Sequence, residues 1–226
     1  MSGSITAYSV VIPAFNAAET IGEAIASILG QTVLPAEILV IDDGSTDATA
    51  ALALQSHPLV RVIAQANTGC GGATTRGMAE SRHAIIATLD ADDVWLPGKM
   101  KRQLSCFAED QTIDGVFSNL ELFGKDSMAG QVRAGWVRST MVIRRHVFET
   151  VGPMIDPPGN RGDMVDWLAR AREAGLRLDL LTETLVRRRV WPGSMSYGHD
   201  PLKDRGYLHV ARERILRRRR VEDSSA

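Results

Sequence analysis

Residues 9–45 read SVVIPAFNAAETIGEAIASILGQTVLPAEILVIDDGS: an apolar run, an amphipathic segment and a second apolar run that ends in two aspartates. Residues 9–12 and 38–41 are short and rich in β-branched side chains, which is typical of strands covered on both faces. Between them Ile21, Ile25 and Ile28 recur at helical spacing and mark one face of a helix. A strand, a helix and a second strand in this order predict a parallel α/β sheet.

The same alternation continues to about residue 93, and the second half of the chain mixes strands and helices more freely. No internal repeat, low-complexity linker or domain boundary interrupts it, so we expect a single domain. In chain order we predict a helix over residues 45–55, strands over 60–63 and 84–89, a helix after Pro97, strands near 115–122, 131–137 and 140–143, a helix over 163–174 and a strand over 185–190.

Composition narrows the class of protein. The 226 residues are 44 % hydrophobic and 23 % charged, which is ordinary for a soluble globular domain. The net charge of −1 gives no argument for a nucleic-acid partner. Cys70 and Cys106 are the two cysteines, so a disulfide framework is excluded and a reducing cytoplasm is expected. The first nine residues do not form a signal peptide, and no apolar run approaches the roughly 20 residues of a membrane span.

Acidic residues follow two of the predicted strands directly. Residues 42–45 (DDGS) come after the strand at 38–41, and residues 90–93 (DADD) come after the strand at 84–89. The carboxyl ends of parallel strands form the ligand crevice of an open sheet, so these carboxylates should converge there. Asp90 and Asp92 offer the hard oxygen ligands that Mg²⁺ and Mn²⁺ prefer. The ordinary alternative is that Asp, Gly and Ser simply end the strands as turn residues.

Four motifs in order make the chain recognisable: residues 10–16 (VVIPAFN), 42–47 (DDGSTD), 67–69 (NTG) and 90–93 (DADD). This ordered set resembles the family 2 inverting glycosyltransferases with the GT-A fold. Later landmarks of that family are similar to residues 162–163 (GD), before a helix, and residues 189–194 (RVWPGS). The resemblance implies one GT-A-like nucleotide-binding domain, with a mostly parallel central sheet flanked by helices.

The resemblance also implies different functions for three segments of the chain. The nucleotide sugar would bind to about residues 8–93, and residues 94–199 would supply the catalytic base and the acceptor surface. Residues 200–226 would form a basic helix or tail. The residues implied to line the donor site are Pro13, Phe15, Glu19, Asp43, Asn67, Gly69 and Asp90, with Asp43 meeting the base of the nucleotide and Asp90 the ribose or sugar.

The implied reaction is hexosyl transfer from a nucleoside-diphosphate sugar, a UDP-sugar foremost, to an acceptor hydroxyl. Asp92, together with Asp90, would ligate Mg²⁺ or Mn²⁺ on the diphosphate, where a metal offsets charge on the leaving group. Asp163 would take the proton of the acceptor hydroxyl as general base. At the start of a helix, however, an aspartate has an ordinary role as well, since it complements the helix dipole.

The chain departs from the family pattern at two places. Members of the family often carry Arg-Asn in the helix after the Asn-x-Gly loop, where this chain has Thr74 and Thr75, with Arg76 next to them. The late Arg-x-His pattern ends in Trp191, which can stack on a sugar but accepts no proton and binds no metal. Two rival functions therefore stay open: a catalytically weakened nucleotide-sugar-binding module of the same fold and, less favoured, a nucleotidyltransferase.

The acceptor and the tail are the least defined features. A saccharide, a lipid-linked sugar and a peptide are all compatible acceptors, and the oligomeric state is not defined. Residues 212–220 hold six arginines against one glutamate. A helix with Tyr207, Ala211 and Ile215 on one face would either lie on an anionic membrane or pack this stripe on the domain. We expect a cytoplasmic protein, in the first case held peripherally at the inner face of the membrane.

Overall fold

The computed structural model describes residues 7–125, 128–191, 198 and 200–224 of the chain. Within these residues nine strands form one sheet, and seven α-helices accompany it. The strands are β1 (Tyr8–Ala14), β2 (Glu37–Asp42), β3 (Val60–Ala64), β4 (Ile85–Thr88), β5 (Val94–Trp95), β6 (Gly115–Gly124), β7 (Val132–Gly135), β8 (Val142–Arg144) and β9 (Leu178–Val190). The helices are α1 (Ile21–Leu29), α2 (Thr49–Ser56), α3 (Cys70–Glu80), α4 (Lys99–Glu109), α5 (Arg145–Val151), α6 (Asp163–Glu173) and α7 (Pro201–Ser224).

The strand order is β3-β2-β1-β4-β8-β6-β9-β5, and β7 pairs with β6 outside this path. The first four strands of this order are mutually parallel. Strand β8 runs antiparallel to both β4 and β6, while β9 is parallel to β6. The predicted single domain with a mostly parallel, helix-flanked sheet is confirmed, and β5, β7 and β8 are its antiparallel members.

Two apolar clusters cover the two faces of the sheet. Alternate side chains of β1 point to opposite faces, so Val10 packs in one cluster with α1 and α4, and Val11 packs in the other with α3 and α6. Strands β1, β2 and β4 are buried along their whole lengths, which explains their continuously apolar sequences. Helix α3 packs so closely on β1 that a Cβ atom on Gly77 would stand 2.2 Å from Val11 Cγ1.

The second half corrects two predicted boundaries. The strand predicted over residues 140–143 begins later, at Val142, because Arg138–Thr140 forms a 3₁₀ turn. The strand predicted over residues 185–190 begins at Leu178, because β9 pairs in parallel with the whole of β6. Both differences arise from long-range pairing, which local periodicity does not encode.

The basic tail is helical and packs on the domain with an unexpected face. Among the α7 residues whose burial the structure describes, Gly206 and Val210 are buried, whereas Tyr207 and Ile215 are about half exposed. Arg217 forms ion pairs with Asp166 and Glu173 of α6. The stripe through Tyr207 and Ile215 is therefore only partly covered by the domain, and the ion pairs of Arg217 add to the contact of α7 with α6. None of the described helices is both long and apolar enough to cross a membrane.

Candidate functional site

The candidate site lies where β2, β1 and β4 end side by side. These neighbouring parallel strands bring the loops that follow them to one edge of the sheet. The loop after β1 carries Phe15 and Glu19, the loop after β2 carries Asp43, and the loop after β4 carries residues 90–93. The loops that carry the two acidic motifs are thus neighbours at the carboxyl ends of the strands, where a ligand crevice was expected.

The Asp43 carboxylate is buried and holds the loop that contains Asn67 and Gly69. Its Oδ1 atom accepts hydrogen bonds from the Gln65 side chain (2.8 Å) and the Thr68 backbone N–H (2.9 Å). Its Oδ2 atom accepts one from the Gly69 N–H at 2.9 Å, and the Asn67 side chain donates to the Asp43 carbonyl oxygen at 3.0 Å. Three residues predicted for the donor site therefore form one hydrogen-bonded unit.

The other predicted donor residues surround this unit with different degrees of exposure. Pro13 lies buried within β1, whereas the Phe15 ring is 52 % exposed at the start of the following loop. Glu19 is exposed farther along the same loop. An exposed aromatic ring beside a buried, oriented carboxylate provides a stacking surface next to polar contacts, which suits a planar ligand.

The loop after β4 places three carboxyl groups within a small space. Asp93 is buried; it accepts hydrogen bonds from the Ser139 hydroxyl and from the Arg189 backbone N–H, the latter at 2.8 Å. Burial first, and then the charges of Asp92 and Asp90, hold the pKa of Asp93 well above its usual range. Burial and the charge of Asp90 likewise raise the pKa of Asp92. A nearby cation would stabilise the ionised form of such buried carboxyl groups.

A buried arginine, Arg138, joins Asp90 to Asp163. Its Nε atom lies 2.9 Å from Asp90 Oδ1, and its Nη1 atom donates to Asp163 Oδ2. Asp163 is the first residue of α6, follows Gly162 with its left-handed backbone, and is 8 % exposed. The structure thus brings Asp90 and Asp163 together, although 73 residues separate them. Sequence reasoning did not find Arg138, because nothing around it resembles a motif.

Helix α3 connects the Asp43 loop to this acidic group. Cys70 is its first residue, directly after Gly69, and the thiol interacts electrostatically with Arg138, Asp90 and Asp163. Burial is the main cause that raises the pKa of the Cys70 thiol, so the thiol stays neutral at physiological pH. A small, neutral side chain therefore lies between the donor residues and the carboxylates.

The positions where the chain departs from the family pattern have distinct surroundings. The Thr74 hydroxyl donates to the Cys70 carbonyl oxygen at 2.7 Å within α3. Arg76 pairs with Glu80 at 3.0 Å and is about half exposed, so its guanidinium lies at the surface of α3. Trp191 is 45 % exposed just beyond the end of β9. The remaining part of the late landmark, residues 192–194, lies outside the described residues.

Arginines that are distant in sequence also reach the acidic loop. The Nε atom of Arg189 donates to the Asp92 carbonyl oxygen at 2.9 Å. The charge of Arg188 acts on both Asp92 and Asp93 and lowers their pKa values. Few basic residues lie close to this loop in sequence, whereas the fold brings Arg138, Arg188 and Arg189 to it. Among the residues that the structure describes, no group of three or more His, Cys, Asp or Glu side chains could hold a metal ion.

The family model for glycosyl transferase family 2 matches residues 9–152, a stretch that includes both the Asp43 unit and the acidic loop. The chain belongs to glycosyl transferase family 2, which confirms the resemblance predicted from the four motifs.

Curated relatives and solved structures extend this comparison. An uncharacterized glycosyltransferase of Nostoc sp. is 34 % identical over 155 residues, which are 66 % of this chain and 48 % of the relative. The Escherichia coli β-1,3-glucosyltransferase WfgD, named for UDP-Glc and α-D-GlcNAc-diphosphoundecaprenol, is 31 % identical over 54 % of this chain and 49 % of its own length. The chain thus spans about half the length of these relatives. Staphylococcus aureus TarS 1–349 in complex with UDP-GlcNAc matches with a TM-score of 0.76 at 17 % identity, covering 92 % of this chain and 65 % of TarS 1–349, and shares its fold.

Proposed function

We propose that the protein is an inverting glycosyltransferase that moves a hexose from a nucleoside-diphosphate sugar, a UDP-sugar foremost, to an acceptor hydroxyl. The observation that carries this proposal is the convergence of acidic groups at the carboxyl ends of the strands. There the Asp43 unit, the acidic loop and Asp163 at the start of α6 meet at one edge of the sheet. A solved structure of this fold contains UDP-GlcNAc and another contains UDP, which supports a donor of that chemistry.

For the donor, we assign the base and ribose to the side of the crevice formed by the first half of the chain, residues 8–93. Phe15 stacks on the planar base, and Pro13 and Glu19 border the same pocket. Asp43 retains an acceptor lone pair on Oδ2 for a ring N–H, while Asn67 and Gly69 shape the loop across from it. Asp90 points to the ribose or the sugar.

A divalent metal fits the carboxylate that faces the diphosphate. Asp92 is desolvated, and its carboxylate accepts a hydrogen bond from its own backbone N–H. No side chain among the described residues donates to it, so it keeps acceptor capacity for a metal ion. Asp90 keeps Oδ2, since Arg138 engages its Oδ1. Mg²⁺ typically takes only one or two protein carboxylates and completes its sphere with water and substrate phosphates. When bound there, Mg²⁺ or Mn²⁺ would neutralise charge on the leaving diphosphate, and Arg188 and Arg189 add fixed positive charge beside it.

For the chemical step, we assign the general base to Asp163 in the second half of the chain, residues 94–199. Its Oδ2 atom is held by Arg138, and no described group donates to Oδ1. Oδ1 takes the proton of the acceptor hydroxyl while that oxygen bonds to the anomeric carbon. The bond from this carbon to the diphosphate breaks, and its electron pair leaves with the nucleotide. Attack opposite the leaving group inverts the anomeric carbon.

Among the possible acceptors, we favour a saccharide or a lipid-linked sugar over a peptide. Support comes from relatives named for a diphosphoundecaprenol acceptor and for succinoglycan biosynthesis. Trp191, which is about half exposed beyond the end of β9, would stack on a sugar ring of that acceptor. Peripheral contact of residues 200–226 with an anionic membrane, and a location at its cytoplasmic side, stay predictions.

The experiment is a screen of nucleotide sugars with and without Mn²⁺ that follows the release of nucleoside diphosphate. We expect one or a few UDP-sugars to be consumed, faster with acceptor than without. Binding of nucleotide with no turnover of any donor would instead indicate the catalytically weakened module. Release of pyrophosphate from a nucleoside triphosphate and a sugar phosphate would indicate the nucleotidyltransferase.

A further inference from the structure

The ion pairs of Arg138 join two carboxylates that come from different parts of the fold. Asp90 follows β4 on the donor side of the crevice, and Asp163 begins α6 on the acceptor side. The Arg138 side chain is only 10 % exposed, and those of Asp90 and Asp163 are 19 % and 11 % exposed. Ion pairs that are this far removed from water are weakly screened and geometrically defined, unlike the solvated pairs on the surface.

The backbone that carries Arg138 is itself held at several points. The Arg138 carbonyl oxygen accepts a hydrogen bond from the Thr88 hydroxyl at 2.6 Å. The Ser139 carbonyl oxygen accepts one from the Trp95 indole at 2.8 Å, and the Thr140 carbonyl oxygen accepts one from the Gln103 amide at 2.8 Å. The 3₁₀ turn is therefore fixed to β4, β5 and α4, so the guanidinium extends from a rigid support.

Asp163 depends on this one cation. Within the described residues, Arg138 is the only basic side chain that forms an ion pair with Asp163. The nearby Asp166, in the same first turn of α6, pairs instead with Arg170 and Arg217. Asp156 and Cys70 also influence the same region, but neither carries positive charge. Without Arg138, the Asp163 carboxylate would keep no directional partner among these residues.

We propose that Arg138 is a positioning residue for the reaction: it holds Asp163 by Oδ2, turns Oδ1 toward the acceptor hydroxyl, and fixes the base relative to Asp90 on the donor side. The inference rests on the proposed function of Asp163 as base. A general base is efficient only within hydrogen-bond reach of its proton, so the loss of this contact lowers the rate of the chemical step more than the affinity for the donor.

The test compares Arg138→Met and Arg138→Lys with the control Arg76→Met, an arginine whose partner Glu80 is on the outer side of α3. For Arg138→Met we expect kcat to fall by about 10²-fold, the size of effect that a small misplacement of a reacting group causes. The KM for the donor and the Kd for UDP should stay within about threefold of the wild-type values, because the contact orients the base and does not bind the donor. Arg138→Lys keeps the positive charge but loses the planar pair of N–H donors. Its kcat should therefore lie between that of the wild-type protein and that of Arg138→Met.

Two further measurements separate positioning from a purely structural role. Added guanidinium at low millimolar concentration should restore part of the kcat of Arg138→Ala, and should leave Asp163→Asn unaffected. The double variant Arg138→Met with Asp163→Asn should be hardly slower than Asp163→Asn alone, because both changes remove one function. An unchanged kcat in Arg138→Met, or losses that multiply in the double variant, would overturn the proposal.

The outcome is distinguishable from failure of the proposed function. If the wild-type chain consumes no nucleotide sugar, the glycosyl-transfer proposal fails. The contact is then judged by the melting temperatures of the single variants Arg138→Met and Asp163→Asn and of their double variant. Additive decreases in Tm would show that the two side chains are not coupled and would overturn the positioning role as well.

Discussion

Replacing Asp163 with asparagine is expected to lower turnover by roughly 10²–10⁴-fold, the usual contribution of a positioned general base. Asparagine keeps the size of the side chain and can still accept a hydrogen bond from Arg138, but it cannot take up the proton of the acceptor hydroxyl. Nucleotide affinity should hardly change, because Asp163 lies on the acceptor side, apart from the Asp43 unit. Steady-state kinetics with the donor found in the screen, together with calorimetric titration of UDP, measure the two quantities separately.

Asp166→Asn is the matched control for this variant. Asp166 belongs to the same first turn of α6 and is as buried as Asp163, but it pairs with Arg170 and Arg217. Its replacement should reduce stability and leave turnover per folded molecule unchanged. The assignment of the base is wrong if Asp163→Asn loses nucleotide binding while the bound fraction keeps full turnover, or if Asp166→Asn loses as much turnover.

Removal of the divalent metal is expected to abolish turnover, and Asp92→Ala should do the same. Metal-assisted departure of a diphosphate contributes several kcal/mol, so a loss of at least about 10²-fold is expected for the variant. Chelator should inactivate the wild-type protein reversibly, and Mn²⁺ should restore it but not Asp92→Ala. Because burial raises the pKa of Asp92, affinity for the metal should weaken as the pH falls through that raised value.

Asp179→Ala serves as the control for loss of an acidic side chain. Asp179 lies at the start of β9, at the opposite end of the sheet from the crevice, and pairs with Arg177 at 3.2 Å. Its metal response should equal that of the wild-type protein. Full activity in the presence of chelator would contradict the metal assignment. Arg138, Arg188 and Arg189 would then be the charges that neutralise the diphosphate.

The sequence predicted the first half of the fold well, because β1, β2 and β4 are buried on both faces and their apolar runs are read directly. Residues that follow those strands, such as Asp43 and Asp90, could be assigned to one crevice since parallel strands end at the same edge. The reach of β9 from Leu178 was not predictable, because it depends on pairing with β6, a strand more than 50 residues earlier.

The hydrogen-bonded details of the site were less accessible to sequence reasoning. Arg138 stands 48 residues from one partner and 25 from the other, in a segment that contains no motif. The face of α7 that packs on the domain could not be assigned from the sequence for a related reason. Its hydrophobic pattern is weak, and its contact with α6 includes ion pairs of Arg217 with Glu173 and Asp166. Charge pairing between distant elements leaves little trace in local sequence.

The most direct test of the proposed reaction is proton NMR of the sugar released or transferred from an α-linked nucleoside-diphosphate donor. The signals of the anomeric protons identify the configuration of the first-formed product before mutarotation equilibrates a free sugar. A single displacement with Asp163 as base predicts that the β-configured product accumulates first, in step with nucleoside diphosphate. A product that first appears in the α configuration, or a complete panel of donors left unconsumed, would contradict the account.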